Sequence, residues 1–322
     1  MWKYIVRRLL QMIPILIGVS IILYCIVHMV PGNYILMQAH NSHMTAAQLQ
    51  HLESLYGIND PFYIGYFKWL KGIVLHFDFG DSFVYKEPVT TVLGTYIWNS
   101  FKMAFPAFIL ELLIAIPCGI ISATHQYSKR DMTLTFIAFF AFSFPSFFLG
   151  CILQNIFAIN LGVLPLSGLT TPGVNYTGFA NVLDQAKHLI LPVLVLTTIS
   201  FGSLMRYVRM SMLEVTNQDY IRTARAKGLP EHTVVYKHEL RNALIPIVTI
   251  LGLSLPGLFT GAIITESIFG IPGVGYISYH AILQRDYPLM LGFCVMVAVL
   301  TLFGNLLADI FYSLVDPRVK LK

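Results

Sequence analysis

An all-α integral membrane protein is the fold class this sequence predicts, and three observations carry that reading. Of its 322 residues, 56% are hydrophobic and only 11% charged, with a mean hydropathy of +0.68, whereas soluble domains carry about 25% charged residues. The apolar residues gather into runs that match the ~20 residues a helix needs to cross a hydrocarbon core. Six such runs, at 8–30, 99–124, 132–156, 188–210, 244–265 and 288–313, predict six transmembrane helices. Lysine and arginine crowd into alternate connections: fifteen fall on one side, against Lys68, Lys71, Lys86, Lys102, Lys187 and Arg285 on the other. The basic side faces the cytoplasm, so the N- and C-termini are both expected to be cytoplasmic. The net charge of +5 expresses this bias and needs no nucleic acid to explain it.

The first run follows Lys3, Arg7 and Arg8. It is too long for the core of a signal peptide and ends in Pro31-Gly32 instead of a small-residue cleavage site, so residues 1–30 read as an uncleaved first helix. Residues 31–98 form an extracytoplasmic segment too small for a core of its own. Within it, Thr45-Ala46-Ala47-Gln48 can start a short helix through Tyr56, stopped by Gly57. Phe62 to Leu75 is amphipathic, with Phe62, Tyr66, Trp69 and Leu70 near one face, and Asp78 to Ser82 reads as a turn. This segment is expected to cap the outer face. Its aromatics either offer anchors to a partner or pack onto the outer helix ends.

Residues 99–322 carry the other five helices. The outer connection 157–187 is loop-like, with Pro165, Gly168, Pro172 and Gly173. The next, 266–287, contains Gly270-Ile271-Pro272-Gly273-Val274-Gly275, a tight re-entrant loop whose backbone must be buried in protein or line a cavity. Asp286 is placed to cap the last helix, with Pro288 in its first turn. Gly257 and Gly261 make a G-x-x-x-G pair that permits close helix approach.

Chemistry that needs a cofactor or metal finds no footing here. Cys25, Cys118, Cys151 and Cys294 all fall inside apolar runs without a close pair. His238-Glu239 begins a zinc motif that Asn242 fails to complete, and His40 and His43 read as solvated loop residues. No Gly-Lys pair occurs, so no P-loop is possible; if ATP drives this protein, another chain binds it. No nucleophile–base pair stands out, and the chain is not expected to be an enzyme. Asp309 lies near the inner end of its helix and reads as structural. Glu111 is the acid most clearly inside a span, where a charge costs roughly 2.5–3.5 kcal/mol. A structural carboxyl packed against another helix is the favoured reading for it; a residue of the translocation pathway is the other.

The most ordered polar stretch lies at 211–243, between two apolar runs. Tyr220-Ile221-Arg222-Thr223-Ala224-Arg225-Ala226-Lys227 reads as a short helix. Gly228 stops it, Leu229-Pro230 changes direction, and Arg241-Asn242-Ala243-Leu244-Ile245-Pro246 re-enters the membrane. A mere charge bias does not require that internal order.

At these residues the chain resembles the permeases of oligopeptide/dipeptide-type ABC importers, members of the binding-protein-dependent transport family. The likeness extends to Tyr4-Ile5-Val6-Arg7-Arg8-Leu9 and Met29-Val30-Pro31-Gly32 at the start, and to Asp78-Phe79-Gly80-Asp81-Ser82-Phe83. In the C-terminal half it includes Glu266 through Gly275, Arg285-Asp286-Tyr287 and Val315-Asp316-Pro317-Arg318. It is closest to the B-type subunit, which has the long outer segment. Two departures from the broader importer motif fit the peptide subgroup: Arg222 replaces the leading acid, and Pro246 follows Gly228 after eighteen positions.

The resemblance implies the type I ABC importer permease fold, with 99–322 as the permease core and 211–243 as a coupling loop. Tyr220, Arg222, Thr223, Ala224, Arg225, Ala226, Lys227, Gly228 and Leu229 would then meet an ATPase. It implies a second homologous permease, two cytoplasmic ATPase subunits and an extracytoplasmic solute-binding protein, assembled in the inner membrane of a bacterial or archaeal cell. The competing reading is a secondary transporter or channel that uses Glu111; it would require an inverted repeat or paired broken helices.

Overall fold

The computed structural model describes residues 2–29 and 61–315. The Pro31-Gly32 break, the short helix expected from Thr45 to Tyr56, and His40 and His43 lie outside the described residues. Among the described residues every element is helical, apart from an isolated antiparallel bridge between Asp81 and Pro88.

Helix α1 spans Trp2–Met29 and α2 spans Phe62–His76. Helix α3, Val89–Thr124, begins ten residues before the apolar run expected from position 99, because Pro88 and Val89 dock on the Gly80–Asp81 turn. Helix α4, Lys129–Ser143, starts on a capping arrangement: Ser128 accepts from the Asp131 N–H, and Asp131 accepts from the Tyr127 N–H. Helix α5, Ser146–Leu153, runs on into a π-helical stretch, Gln154–Asn160. The central helix α6 covers Phe179–Thr216 and leads through two residues to α7, Asp219–Ala226. Helix α8, Leu240–Ser254, is entered through a helical turn at Glu231–Thr233 and a π-helical stretch at Val234–Glu239. Helices α9, Ile263–Phe269, and α10, Val274–Gln284, precede the long α11, Tyr287–Val315.

Five helical stretches are long and apolar enough to cross a membrane, and six if the bent pair α4–α5 is one span. The span expected over 132–156 is thus a bent pair of helices. A residue before proline is pushed out of the helical region, and Phe144, preceding Pro145, sits extended at ψ 128°, so the pair folds by 97°. The G-x-x-x-G pair is corrected. The helix breaks at Pro256, Gly261 has φ +78°, and a side chain at Gly257 would meet open space. The close approach is made instead by Gly252, whose absent Cβ would lie 2.7 Å from Ala308, and by Gly304 against Pro256.

Helix α6 is the spine. In its most apolar window 61% is buried, against 17–28% for the other four long spans. At one end Met205, Val208 and Met212 pack with Ala115 and Ile120 of α3, Ala138 of α4 and Ile247 of α8. Toward the other end Leu189 to Val195 meet Met103 and Ala107 of α3 and Phe269 of α9. Helix α1 stands apart, tied to α11 where Asp309 accepts from Tyr4 and Arg8, each at 2.9 Å. At its other end Tyr24 packs with Tyr66, Trp69 and Leu291, and Ser20 bonds the Tyr66 hydroxyl. Tyr66 and Trp69 therefore face α1, while Tyr63, Phe67 and, in part, Phe62 are the exposed aromatics of α2.

Candidate functional site

Two features rise above the packing: a presented helix at one end of α6, and a cavity beside its middle. Helix α7 buries Ile221 and Ala224 against Val215 and Val234, a spacing of three that puts both on one helical face. The opposite face, Tyr220, Arg222, Thr223, Ala226 and Lys227, is exposed. Gly228, at φ +73°, closes the helix in the left-handed conformation that glycine reaches without strain, and its N–H bonds the Arg225 carbonyl at 2.9 Å. Leu229 follows, also exposed.

Two of the nine residues expected to meet an ATPase are thus turned to internal work. Ala224 faces the body of the protein. Arg225 reaches Glu231 at 2.8 Å and the fully buried Glu239 at 2.9 Å; these carboxylates, Glu231 first, push its guanidinium further up and keep it charged. Arg225 thereby staples α7 to the entry of α8 across the Gly228 turn. The pair Arg222–Asp219, at 3.6 Å, is solvent-exposed at both ends and contributes little.

The same end of the bundle holds a second buried tie. Asp131 takes both Arg209 nitrogens at 2.9 Å and also accepts from Ser122, linking α4 to α6 and α3. Sequence reading assigns Asp131 no role and Glu239 only an incomplete zinc motif, because the partner of each lies on a different helix.

At the opposite end the glycine-rich loop wraps a carboxylate. Glu266, with no exposed surface, accepts from the Ser100 hydroxyl at 2.6 Å and from the N–H groups of Tyr276 at 2.7 Å and Ala262 at 3.2 Å. Ser100 in turn accepts from the Val274 N–H. Burial pushes the Glu266 carboxyl up, against these donors. A Cβ at Gly273 would lie 2.5 Å from that carboxyl, one at Gly261 2.8 Å and one at Gly275 3.0 Å, so the glycines are the room the carboxyl occupies. Asp286 does similar work: it accepts from Ser82 at 2.5 Å, from the Val84 N–H and, as the helix cap expected of it, from the Leu289 N–H of α11.

Between the two ends lies a cavity of about 510 Å³, walled by α3, α6, α8 and the 257–262 turn, with Phe142 of α4 on its edge. Its walls include Phe108, Leu196, Ile199 and Leu251, with the hydroxyls of Ser200, Ser203, Ser254 and Tyr207. Glu111 opens onto it. No group of three or more metal-ligating side chains occurs among the described residues.

Comparison with known proteins places this geometry. The family model described as binding-protein-dependent transport system inner membrane component matches residues 115–321, and its N-terminal companion matches 1–103. The oligopeptide transport system permease protein AppB of Bacillus subtilis (strain 168) is 42% identical, over 99% of this chain and 100% of its own. The dipeptide transport system permease protein DppB of Escherichia coli (strain K12) is 34% identical, over the whole of both chains. Among solved structures, the MetNI methionine ABC transporter in an inward-facing conformation superposes with a TM-score of 0.53 at 18% identity, over 70% of this chain and 97% of that one; at that identity the likeness is one of fold. The chain is a multi-pass permease of the inner membrane and belongs to the family of binding-protein-dependent transport system inner membrane components.

Proposed function

We propose that this chain is one of two paired permeases of a peptide importer, and that its α7 docks on a cytoplasmic ATPase. The observation that carries the reading is a basic, exposed helix joined by two residues to the helix that walls the cavity. Peptide as solute is supported by the full-length similarity to permeases named for oligopeptide and dipeptide transport. Tyr220, Arg222, Thr223, Ala226, Lys227, Gly228 and Leu229 supply the docking surface. Ala224 and Arg225 hold that surface in place.

In this reading both termini and α7 are cytoplasmic, and Glu266 and Asp286 lie at the outer end. Residues 1–30 are the peripheral first helix, 31–98 the outer segment, 99–322 the permease core and 211–243 the coupling loop. A solute-binding protein docks on the outer face, where the exposed Asp78 and Asp81 form an acidic turn. ATP binding shifts the ATPases, α7 follows, and the cavity with Glu111 on its wall opens alternately to each side, a rigid-body shift biased by nucleotide.

The test reconstitutes this chain with the second permease, the ATPases and the binding protein, and follows uptake of a labelled peptide. Uptake that requires ATP and survives an uncoupler is expected. Uptake that ignores ATP and collapses with the proton gradient would overturn the reading in favour of a secondary transporter.

A further inference from the structure

Five acids in the helix bundle each find a donor: Asp131 has Arg209, Glu239 has Arg225, Glu266 has Ser100, Asp286 has Ser82, and Asp309 has Arg8. Glu111 differs. It has no hydrogen-bond or ion-pair partner among the described residues, although it sits thirteen residues from the Thr124 end of α3, roughly 20 Å into that helix. It is also the sole charged side chain among the residues that wall the cavity.

We infer that Glu111 is the recognition group for a cationic nitrogen of the transported molecule, the terminal ammonium of a peptide held in this cavity. The inference rests on the peptide-import reading above. An ammonium offers three donors and no acceptor, and the residues that wall the cavity carry oxygens able to accept, the Glu111 carboxylate and the hydroxyls of Ser200, Ser203 and Ser254. Ser254 already donates to the Ile250 carbonyl, so its oxygen is left to accept. Mostly apolar walls with a few polar side chains, in a volume of about 510 Å³, are the general character of a small-molecule site. The remaining walls are aliphatic and aromatic, which suits side chains of varied shape while the shared ammonium fixes orientation. A proton-carrying role has less support, since Tyr207 is the one other titratable group on the wall.

A thiol reporter reads occupancy directly. In the assembled complex without binding protein, and in a background with Cys25, Cys118, Cys151 and Cys294 replaced, Ala104→Cys on the cavity wall is labelled with a maleimide. Ile199→Cys serves as a second reporter should the first impair uptake. Trialanine is expected to slow labelling at about tenfold lower concentration than N-acetyl-trialanine, equivalent to about 1.4 kcal/mol. Glu111→Gln should erase that difference, and Glu111→Asp should keep most of it. Equal protection by the two peptides, no protection by either, or discrimination that survives Glu111→Gln would overturn the inference. An equal loss for both peptides in Glu111→Gln would also overturn it, and would point to a structural carboxyl or a cation supplied by the second permease. Trialanine uptake by the same preparation, given binding protein and ATP, separates the two claims. No uptake would remove the peptide reading itself, whereas uptake without discrimination removes only the role of Glu111.

Discussion

Gly228 holds φ +73°, and nothing lies within 4 Å of where its Cβ would be. Substitution by alanine is therefore a question of backbone conformation alone, whereas proline would also remove the N–H that bonds the Arg225 carbonyl. Alanine can reach the left-handed region at about 1 kcal/mol, but proline, fixed near φ −65°, cannot. Gly228→Ala is expected to keep most coupled transport. Gly228→Pro should leave the protein inserted and assembled while ATP hydrolysis runs without uptake. Normal coupling in the proline variant at normal expression would remove α7 from the coupling role. The stop at Gly228 could be read from sequence because glycine after a run of helix formers has one common meaning. The purpose of Gly261, Gly273 and Gly275 could not: each makes room for the side chain of Glu266, and nothing local in a sequence says which side chain will fill a glycine's empty volume.

At the scale of elements, α7 is a short helix kept in register by a buried ion pair. Glu239 is almost wholly buried, so Arg225→Ala strands a carboxylate, at a local cost of about 3 kcal/mol. Faster proteolytic nicking between Ala224 and Glu231 is expected, together with weaker copurification of the ATPase. Adding Glu239→Gln should recover much of the loss, because the stranded charge is gone. If the single variant nicked no faster than wild type, the staple would not be holding the helix. The apolar runs announced the spans, but their ends and bends followed from contacts invisible to periodicity. Helix α3 starts early because Pro88 and Val89 dock on the Gly80–Asp81 turn, and α4 and α5 part at Phe144–Pro145, inside what reads as one apolar run. Likewise Phe62, Tyr66 and Trp69 were legible as an aromatic face, yet whether that face met a partner or Tyr24 of α1 depended on the fold.

For the molecule as a whole, α6 runs close against α4 at Gly202, where a Cβ would collide with the Ala138 carbonyl and stand 3.1 Å from Phe142. Gly202→Ala is expected to destabilise the protein by about 1–3 kcal/mol through overpacking and to slow uptake, read as a lower thermal midpoint and a lower transport rate. Gly94→Ala is the control: no atom lies within 4 Å of its Cβ site, and alanine favours helix. Equal effects in the two variants would deny any special role to the Gly202 contact.

That contact divides α6 into unequal arms. Thr216, next to α7, lies fourteen residues from Gly202, roughly 21 Å, while Leu196 on the cavity wall lies six residues to the other side, roughly 9 Å. If the helix rocks as a stiff rod on this fulcrum, a tilt of about 5° carries the α7 end by roughly 2 Å, and the wall residues Leu196 and Tyr207, on either side of the pivot, by less than 1 Å in opposite senses. In the proposed coupling such a lever would trade distance for force: a broad stroke of α7 would reach the cavity as a small tilt of its wall about the Gly202 contact.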